Sequence, residues 1–320
     1  MMLSRTADNL FWMARNMERA ENTARMLDVS FRMSLLPSSL DRQAQFEPIL
    51  SIAPGDGRFA ELYDDLTHEN IIRYVALDQE NAGSICSLIK LARENARAQR
   101  SAISSEAWES LNSTWLQVQN LDYEGLMRWG YRDFFDWVKE RSHLFRGVVF
   151  GTMLHDDGFR FIRLGTFIER ADNTARILDV KYHVLLPDTE QVGGYVDYYQ
   201  WGALLRSVGA FRAYRRVYHD MVYPWRIAEL LILREDMPRS LHHCYEVVVS
   251  TLEDLAGKKQ LECTRIAGQT YALLRYGRID LVFTAGLHEF LTEFIDRNSD
   301  LGVQLQEDFL MVPMVMAEAV

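Results

Sequence analysis

The chain contains few residues that interrupt helices and none of the patterns that mark a disulfide-rich or nucleic-acid-binding protein. Its 320 residues include only seven prolines and eighteen glycines, so long helices are permitted along most of the sequence. The three cysteines form no close pair and no metal-binding spacing, which is typical of reduced structural thiols. A formal net charge of −10 argues against the basic face of a nucleic-acid-binding domain.

Long hydrophobic runs are also missing. No stretch approaches the ~18 consecutive apolar residues that span a bilayer. The first eight residues carry charges where a signal peptide needs an uninterrupted apolar segment. We therefore expect a cytoplasmic protein.

The composition that is present favours helices. Hydrophobic residues make up 48% of the chain, enough for a full core. There is no sustained alternation of apolar and polar residues of the kind that predicts strands. We predict an all-α fold, in which two long helices run from Ser4 to Leu35 and from Asp157 to Leu185.

A twelve-residue segment occurs twice. The sequence from Glu18 to Val29 returns from Glu169 to Val180, with ten identical positions at an offset of 151. Buried helix faces tolerate apolar exchanges of similar volume, yet the repeated positions include Glu, Arg, Asn, Thr and Asp. A repeated polar pattern of this kind indicates an internal duplication.

Weaker matches extend the duplication along the chain. Leu-Leu-Pro at 35–37 and at 185–187 predicts a helix end in each copy, and the first is followed by a predicted loop at 37–56. At an offset of 156, Leu77–Ser84 aligns with Leu233–Ser240. We predict two helical repeats, 1–152 and 153–320, fused into one bundle with approximate internal twofold symmetry.

The repeated segment places two stripes on each long helix. In the first copy an apolar stripe faces a neighbouring helix, and it consists of Leu10, Met13, Met17, Ala20, Ala24 and Leu27. A second, polar stripe follows from the helical period of about 3.6 residues. It contains Glu18, Asn22 and Arg25 in the first copy and Glu169, Asn173 and Arg176 in the second.

Some of these charged residues have local partners and others do not. Glu21 with Arg25, and Asp172 with Arg176, have the i, i+4 spacing and order that favour an ion pair. Glu18, Arg19, Glu169 and Arg170 then require partners from elsewhere. Two further acids, Asp28 and Asp179, lie near helix C-termini, where the helix dipole disfavours them. We expect cationic or N–H partners for both, and Arg19 or Arg170 from the opposite copy would serve.

Three interpretations of the polar stripes remain open. They form a buried ion network between the two copies, they line a cleft that binds an anionic or amine ligand, or they contact a protein partner. The residues concerned are Glu18, Arg19, Asn22, Arg25, Glu169, Arg170, Asn173 and Arg176. Five further arginines near the junction of the copies are available to neutralise the acids: Arg132, Arg141, Arg146, Arg160 and Arg163.

No recognisable catalytic or cofactor motif accompanies these residues. Glu140 and His143 have the spacing of a di-iron ligand pair, but such sites need two pairs and the chain has no second one. Neither a phosphate-binding glycine loop nor a nucleophile motif is present. The sequence predicts no metal and no cofactor, and it favours a non-enzymatic protein.

Three segments resemble a known family. The opening sequence from Met2 to Arg25 is similar to the signature of the Alpha-E domain family, an all-helical bacterial family with a Glu-Arg motif, often in tandem duplication. The stretches Arg141–Gly147 and Phe161–Arg170 are similar to its central signature. The Glu-Arg pairs that match are Glu18-Arg19 and Glu169-Arg170. Arg15 corresponds to Thr166, so any site is asymmetric.

The resemblance implies a functional context. Alpha-E proteins are encoded beside, or fused to, circularly permuted ATP-grasp ligases and transglutaminase-like proteins, which implies a role in peptide or amide-bond synthesis or modification. We expect an accessory component that docks with such a ligase. The alternative is an enzyme of unknown reaction with Glu18 or Glu169 as acid or base and arginines that bind an anionic substrate. An enzyme requires one of these Glu residues in an open pocket, whereas an accessory protein buries them and exposes an apolar patch.

Overall fold

The computed structural model describes residues 4–34, 50, 58–184 and 195–310. Within those residues the chain forms fifteen α-helices and no strand, so the predicted all-α class is confirmed. The predicted loop at 37–56, apart from Leu50, and both Leu-Leu-Pro helix ends lie outside the described residues. None of the described helices combines the length and apolar composition needed to cross a membrane.

The helices differ widely in length. The two longest are α1 (Ser4–Ser34) and α8 (Asp157–Val184), close to the predicted bounds. The others in the first half are α2 (Phe59–Leu62), α3 (His68–Ile72), α4 (Ile85–Ala98), α5 (Ser105–Val118), α6 (Tyr123–Trp129) and α7 (Tyr131–Thr152). The second half continues with α9 (Tyr195–Ser207), α10 (Phe211–Tyr218), α11 (Pro224–Ile232), α12 (Leu241–Ala256), α13 (Glu262–Arg275), α14 (Ile279–Ala285) and α15 (Leu287–Leu305).

The centre of the core is the packing of α1 against α8. The predicted apolar stripe of α1 is buried, from Leu10 to Leu27, and the corresponding residues of α8 are buried as well. The two backbones lie close together at Gly165, where an added Cβ would be 2.2 Å from the carbonyl oxygen of Phe11 and 3.3 Å from the Cβ of Ala14. Glycine at position 165 therefore sets the distance between the two central helices.

The same helix pairings occur in both halves. Helix α1 packs against α4 and α7, and α8 packs against α12 and α15; the pairs α4–α5 and α5–α7 likewise correspond to α12–α13 and α13–α15. The N-cap serines of α4 and α12 are Ser84 and Ser240, which occupy matching positions of the weak repeat. Gly130 and Gly286, with φ of +95° and +99°, precede α7 and α15. These matches agree with a duplicated helical unit, while the exact twofold relation and the domain limits stay predictions.

Candidate functional site

Glu18 lies at the centre of a buried group of charges where α1 meets α8. Its two carboxylate oxygens accept hydrogen bonds from Nε and Nη2 of Arg170, both at 3.0 Å. Arg146 Nη1, from α7, lies 2.7 Å from Oε2, and Arg239 Nη1, from the segment before α12, lies 3.2 Å from Oε1. Glu18 is 1% exposed, and three guanidinium groups contact its carboxylate.

Glu21 and Asn22 extend this group, which we call the Glu18 centre. Arg239 Nη2 lies 2.6 Å from Glu21 Oε1, and Arg239 Nη1 donates to Asn22 Oδ1 at 2.9 Å. Arg25 Nε donates to the same Glu21 oxygen at 2.8 Å, in the i, i+4 geometry that the sequence predicts. Arg146 also bonds Glu21. The centre therefore joins two carboxylates to Arg25, Arg146, Arg170 and Arg239.

The arginines keep both carboxylates ionised despite their burial. Burial alone raises the pKa of Glu18, but Arg170, Arg146 and Arg239 outweigh it and lower the pKa below the ordinary value. Burial opposes ionisation of Glu21 in the same way, and Arg239, a hydrogen bond from His143, Arg146 and Arg25 lower its pKa well below the usual range. Nearby positive charge therefore dominates over desolvation in this centre.

Glu169 forms the second group of charges, the Glu169 centre. Arg19 Nε and Nη2 bond its two oxygens at 2.6 and 2.8 Å, and Arg15 Nε donates to Oε2 at 2.9 Å. Burial raises the pKa of Glu169, and Arg19 and Arg15 reverse that shift and lower it. The structure thus brings Glu18 to Arg170 and Glu169 to Arg19, so that the Glu of each copy is bound by the Arg of the other.

The rest of the Glu169 centre is less complete. Asp172 accepts from Arg176 Nε at 2.7 Å, the i, i+4 pair that the sequence predicts. Asn173 corresponds to Asn22, but its Oδ1 is buried and accepts no hydrogen bond from any described residue. In this centre Asn173 therefore has no counterpart of the arginine that binds Asn22.

Two exchanges between arginine and glycine explain the asymmetry. Arg239 corresponds to Gly83 in the weak repeat, so the first half has no side chain that reaches Glu169 and Asn173 as Arg239 reaches Glu18 and Asn22. Arg146 corresponds at the same offset to Gly302, and an added Cβ at Gly302 would lie 3.9 Å from Arg15 Nη1. Arg15 thus lies close to Gly302, the counterpart of Arg146, and it binds Glu169 as Arg146 binds Glu18.

Asp28 and Asp179 each have a basic partner, as expected, but these partners are not Arg19 and Arg170. Lys139 Nζ lies 3.1 Å from Asp28, and His288 Nδ1 lies 2.6 Å from Asp179. Both basic residues come from the helices α7 and α15 that flank the central pair. Arg19 and Arg170 are instead bound to the buried Glu169 and Glu18, carboxylates that would be costly to leave unpaired.

The structure brings Glu18, Arg19, Glu169 and Arg170 together at the contact between α1 and α8. Arg25 and Arg176 instead bind acids of their own helices. One further residue of the site was not revealed by the sequence. That residue is Arg239, which lies immediately before the N-cap Ser240. Its only signal in the sequence is the exchange with Gly83 inside the weak repeat. Of the five arginines near the junction, Arg146 joins the Glu18 centre, whereas Arg141 binds Ser113 and Thr114.

A cavity of about 430 Å³ opens beside the Glu169 centre. Its wall includes Arg19 together with Trp12 and Asn16 of the same helix, and Gly83 before α4. The guanidinium of Arg19 therefore has two environments, the buried carboxylate of Glu169 on one side and an open cavity on the other.

Comparison with known proteins identifies the family. The model of the Alpha-E family, described as a predicted alpha-helical domain with a conserved ER motif, matches residues 2–310. The chain belongs to the Alpha-E family. No curated protein and no solved structure matches it. Both Glu-Arg pairs of this Alpha-E chain lie in the two centres, where each Glu is buried and each Arg binds the Glu of the opposite pair.

Proposed function

We propose that this Alpha-E protein is a cytoplasmic accessory component of a peptide or amide-bond synthesis or modification system, which docks with a circularly permuted ATP-grasp ligase. The resemblance of its signatures to Alpha-E proteins supports the ligase, and transglutaminase-like proteins, as partners. In this role the chain binds or presents material for the ligase, and the ligase supplies the chemistry.

The burial and neutralisation of the Glu-Arg pairs is the observation that carries this proposal. Glu18 and Glu169 are 1% and 2% exposed, and each is bound by two or more guanidinium groups. A general acid or base works best with a pKa near the operating pH and within reach of a substrate proton. The lowered pKa values and the burial of these carboxylates favour a structural role, and they disfavour the alternative of an acid–base enzyme.

An exposed apolar patch at the junction of the two halves also supports docking. Phe150, near the end of α7, and Leu154, after it, are 66% and 82% exposed. Beside them is an apolar groove of about 220 Å³, whose wall includes Val149, Phe159 and Ile162. Contiguous exposed apolar surface is typical of protein interaction sites, and we place the ligase contact here.

Co-purification with the neighbouring ATP-grasp protein tests the proposal. A tagged wild-type chain is expected to retain the ligase, and the double substitution Phe150→Ser/Leu154→Ser is expected to lose it with an unchanged melting temperature. Leu116→Ser, at another exposed apolar position, is the matched control and should retain the ligase. Failure of the wild-type chain to bind the ligase would contradict the proposed function, and retention by the double variant would contradict this docking surface.

A further inference from the structure

We propose that the cavity beside Arg19 binds the α-carboxylate of an amino acid or short peptide, with an apolar side chain of the ligand against Trp12 and Leu91. This inference deepens the proposed function and rests on it for the source of the ligand. The binding itself depends only on residues of this chain.

Arg19 supplies the positive charge. Its Nε and Nη2 are held by Glu169, whereas its Nη1 has no partner among the described residues, and its side chain is 23% exposed. Because Glu169 fixes the plane of the guanidinium, little conformational entropy is lost when a ligand binds. A positioned guanidinium with an unused N–H is well suited to a carboxylate.

Asn16 supplies a second polar group. It lines the cavity and is only 5% exposed, yet its amide makes no hydrogen bond to any described residue. Buried polar side chains are nearly always hydrogen-bonded. We infer that its NH₂ group donates to the bound carboxylate, one helical turn from Arg19 on the same face of α1.

The remaining wall offers apolar surface and one exposed charge of each sign. Trp12, Leu88 and Leu91 provide the apolar surface, and Arg58 and Glu80 lie at exposed positions of the wall. Arg58 is paired with Glu61 at 3.3 Å, whereas Glu80 can pair with the α-ammonium group of an amino acid. The volume of about 430 Å³ lies within the usual range for small-molecule sites.

In the second half, larger side chains occupy the positions equivalent to two residues of the cavity wall. The positions of Asn16 and Gly83 are taken by Phe167 and Arg239, and Arg239 extends inward to Glu18 and Glu21. The cavity that includes Asp236 and Met237, the counterparts of Glu80 and Asn81, has no described lining residue from α8. Of these two cavities in the described part of the chain, the one in the first half is bordered by an arginine of the Glu-Arg motif.

The test measures dipeptide binding to the purified full chain by calorimetry and thermal shift. The probes are a panel of alanyl dipeptides and the same peptides with an amidated C-terminus. Wild type is expected to bind free-acid peptides with apolar C-terminal residues and to bind their amides at least about tenfold more weakly, because the amide has no charge for Arg19. Asn16→Leu should weaken binding by about tenfold, as expected for a lost hydrogen bond to a charged group.

Two further variants keep the test decisive. Leu91→Trp, at a 43% exposed position, narrows the cavity without altering the buried charges and should abolish binding. It provides the test if Asn16→Leu does not fold. Asn9→Leu, on α1 outside the cavity, is the matched control and should bind as wild type does.

Clear outcomes would overturn the inference. One is that wild type binds no free-acid dipeptide up to about 10 mM. Another is that Asn16→Leu and Leu91→Trp bind the peptides as tightly as wild type does. A third is that wild type binds the amidated peptides as tightly as the free acids. Competition by inorganic phosphate as strong as by the peptides would overturn the carboxylate assignment. Because the assay contains no ligase, its failure is distinguishable from failure of the docking proposal.

Discussion

The Glu18 and Glu169 centres contain matching acids but differ in the number and the exposure of the arginines that neutralise them. Glu18 and Glu21 are enclosed by four arginines, of which Arg170 and Arg239 are at most 10% exposed. Glu169 and Asp172 have three arginines, and Arg19 and Arg176 are 23% and 40% exposed. The Glu18 centre thus contains two almost fully buried arginines, although its Arg146 is 25% exposed beside the apolar groove. In the Glu169 centre, Arg19 borders the larger cavity.

This difference shows how a duplication can separate stability from binding. A buried carboxylate that loses its partner imposes a large penalty, so the Glu18 centre permits little change. In the Glu169 centre, an arginine that loses its partner is partly exposed to water, so the loss in free energy of unfolding is expected to be smaller. Substitutions at matching positions of the two halves test that comparison directly.

The largest effect is expected for Glu18→Gln compared with Glu169→Gln. Loss of Glu18 leaves buried arginines without their counter-ion and should reduce the free energy of unfolding by about 3–5 kcal/mol. Loss of Glu169 should cost less, about 1–3 kcal/mol, because Arg15 and Arg19 have access to water. Urea unfolding of both variants measures the difference, and an equal or reversed order would contradict the comparison.

A smaller effect is expected at the helix crossing. Gly165→Ala introduces a Cβ 2.2 Å from the Phe11 carbonyl oxygen, so α1 and α8 must separate at a cost of about 1–3 kcal/mol. Gly147→Ala, in the interior of α7 with no atom within 4 Å of the added Cβ, is the matched control. It should be neutral or stabilise by up to about 1 kcal/mol. Thermal unfolding of both variants tests this prediction, which fails if Gly165→Ala is as stable as Gly147→Ala.

Acid unfolding should distinguish the centres through their lowered pKa values. Glu18, Glu21 and Glu169 each have a pKa below the ordinary value of 4.5. Their stabilisation is therefore fully present above about pH 4.5 and is lost as the pH falls through the folded-state values. Melting temperatures measured from pH 6 downward should fall steeply for wild type and less steeply for Glu18→Gln. If the melting temperatures of wild type and Glu18→Gln fall equally with pH, Glu18 does not contribute to the loss of stability in acid.

The smallest effect is expected at the end of the motif. Arg176 is 40% exposed and pairs with Asp172 in an i, i+4 geometry, so Arg176→Ala should change the free energy of unfolding by about 0.5 kcal/mol or less. Arg25 binds the fully buried Glu21, so Arg25→Ala should cost about 1.5–3 kcal/mol. Parallel urea titrations compare the two, and equal losses would show that burial does not distinguish these arginines.

Much of the fold and part of the site were accessible from the sequence. The repeat and the scarcity of helix breakers predicted the two long helices, and the i, i+4 rule predicted the pairs Glu21–Arg25 and Asp172–Arg176. The suggestion of Arg19 or Arg170 as partners of Asp28 and Asp179 was wrong, because the partners Lys139 and His288 come from other helices. Sequence analysis also missed Arg239, which is 217 residues from Asn22 and leaves no periodic signal.

The sequence by itself determined the helical class, the duplication and the contacts within one turn of a helix, since these depend on local spacing. Only the tertiary structure decided which arginine neutralises which glutamate and that Arg19 borders a cavity. The reason is physical: partners of a buried charge are chosen by the packing of several helices at once. The effect of a single difference between the two halves, such as Gly83 in one and Arg239 in the other, cannot be inferred until that packing is known.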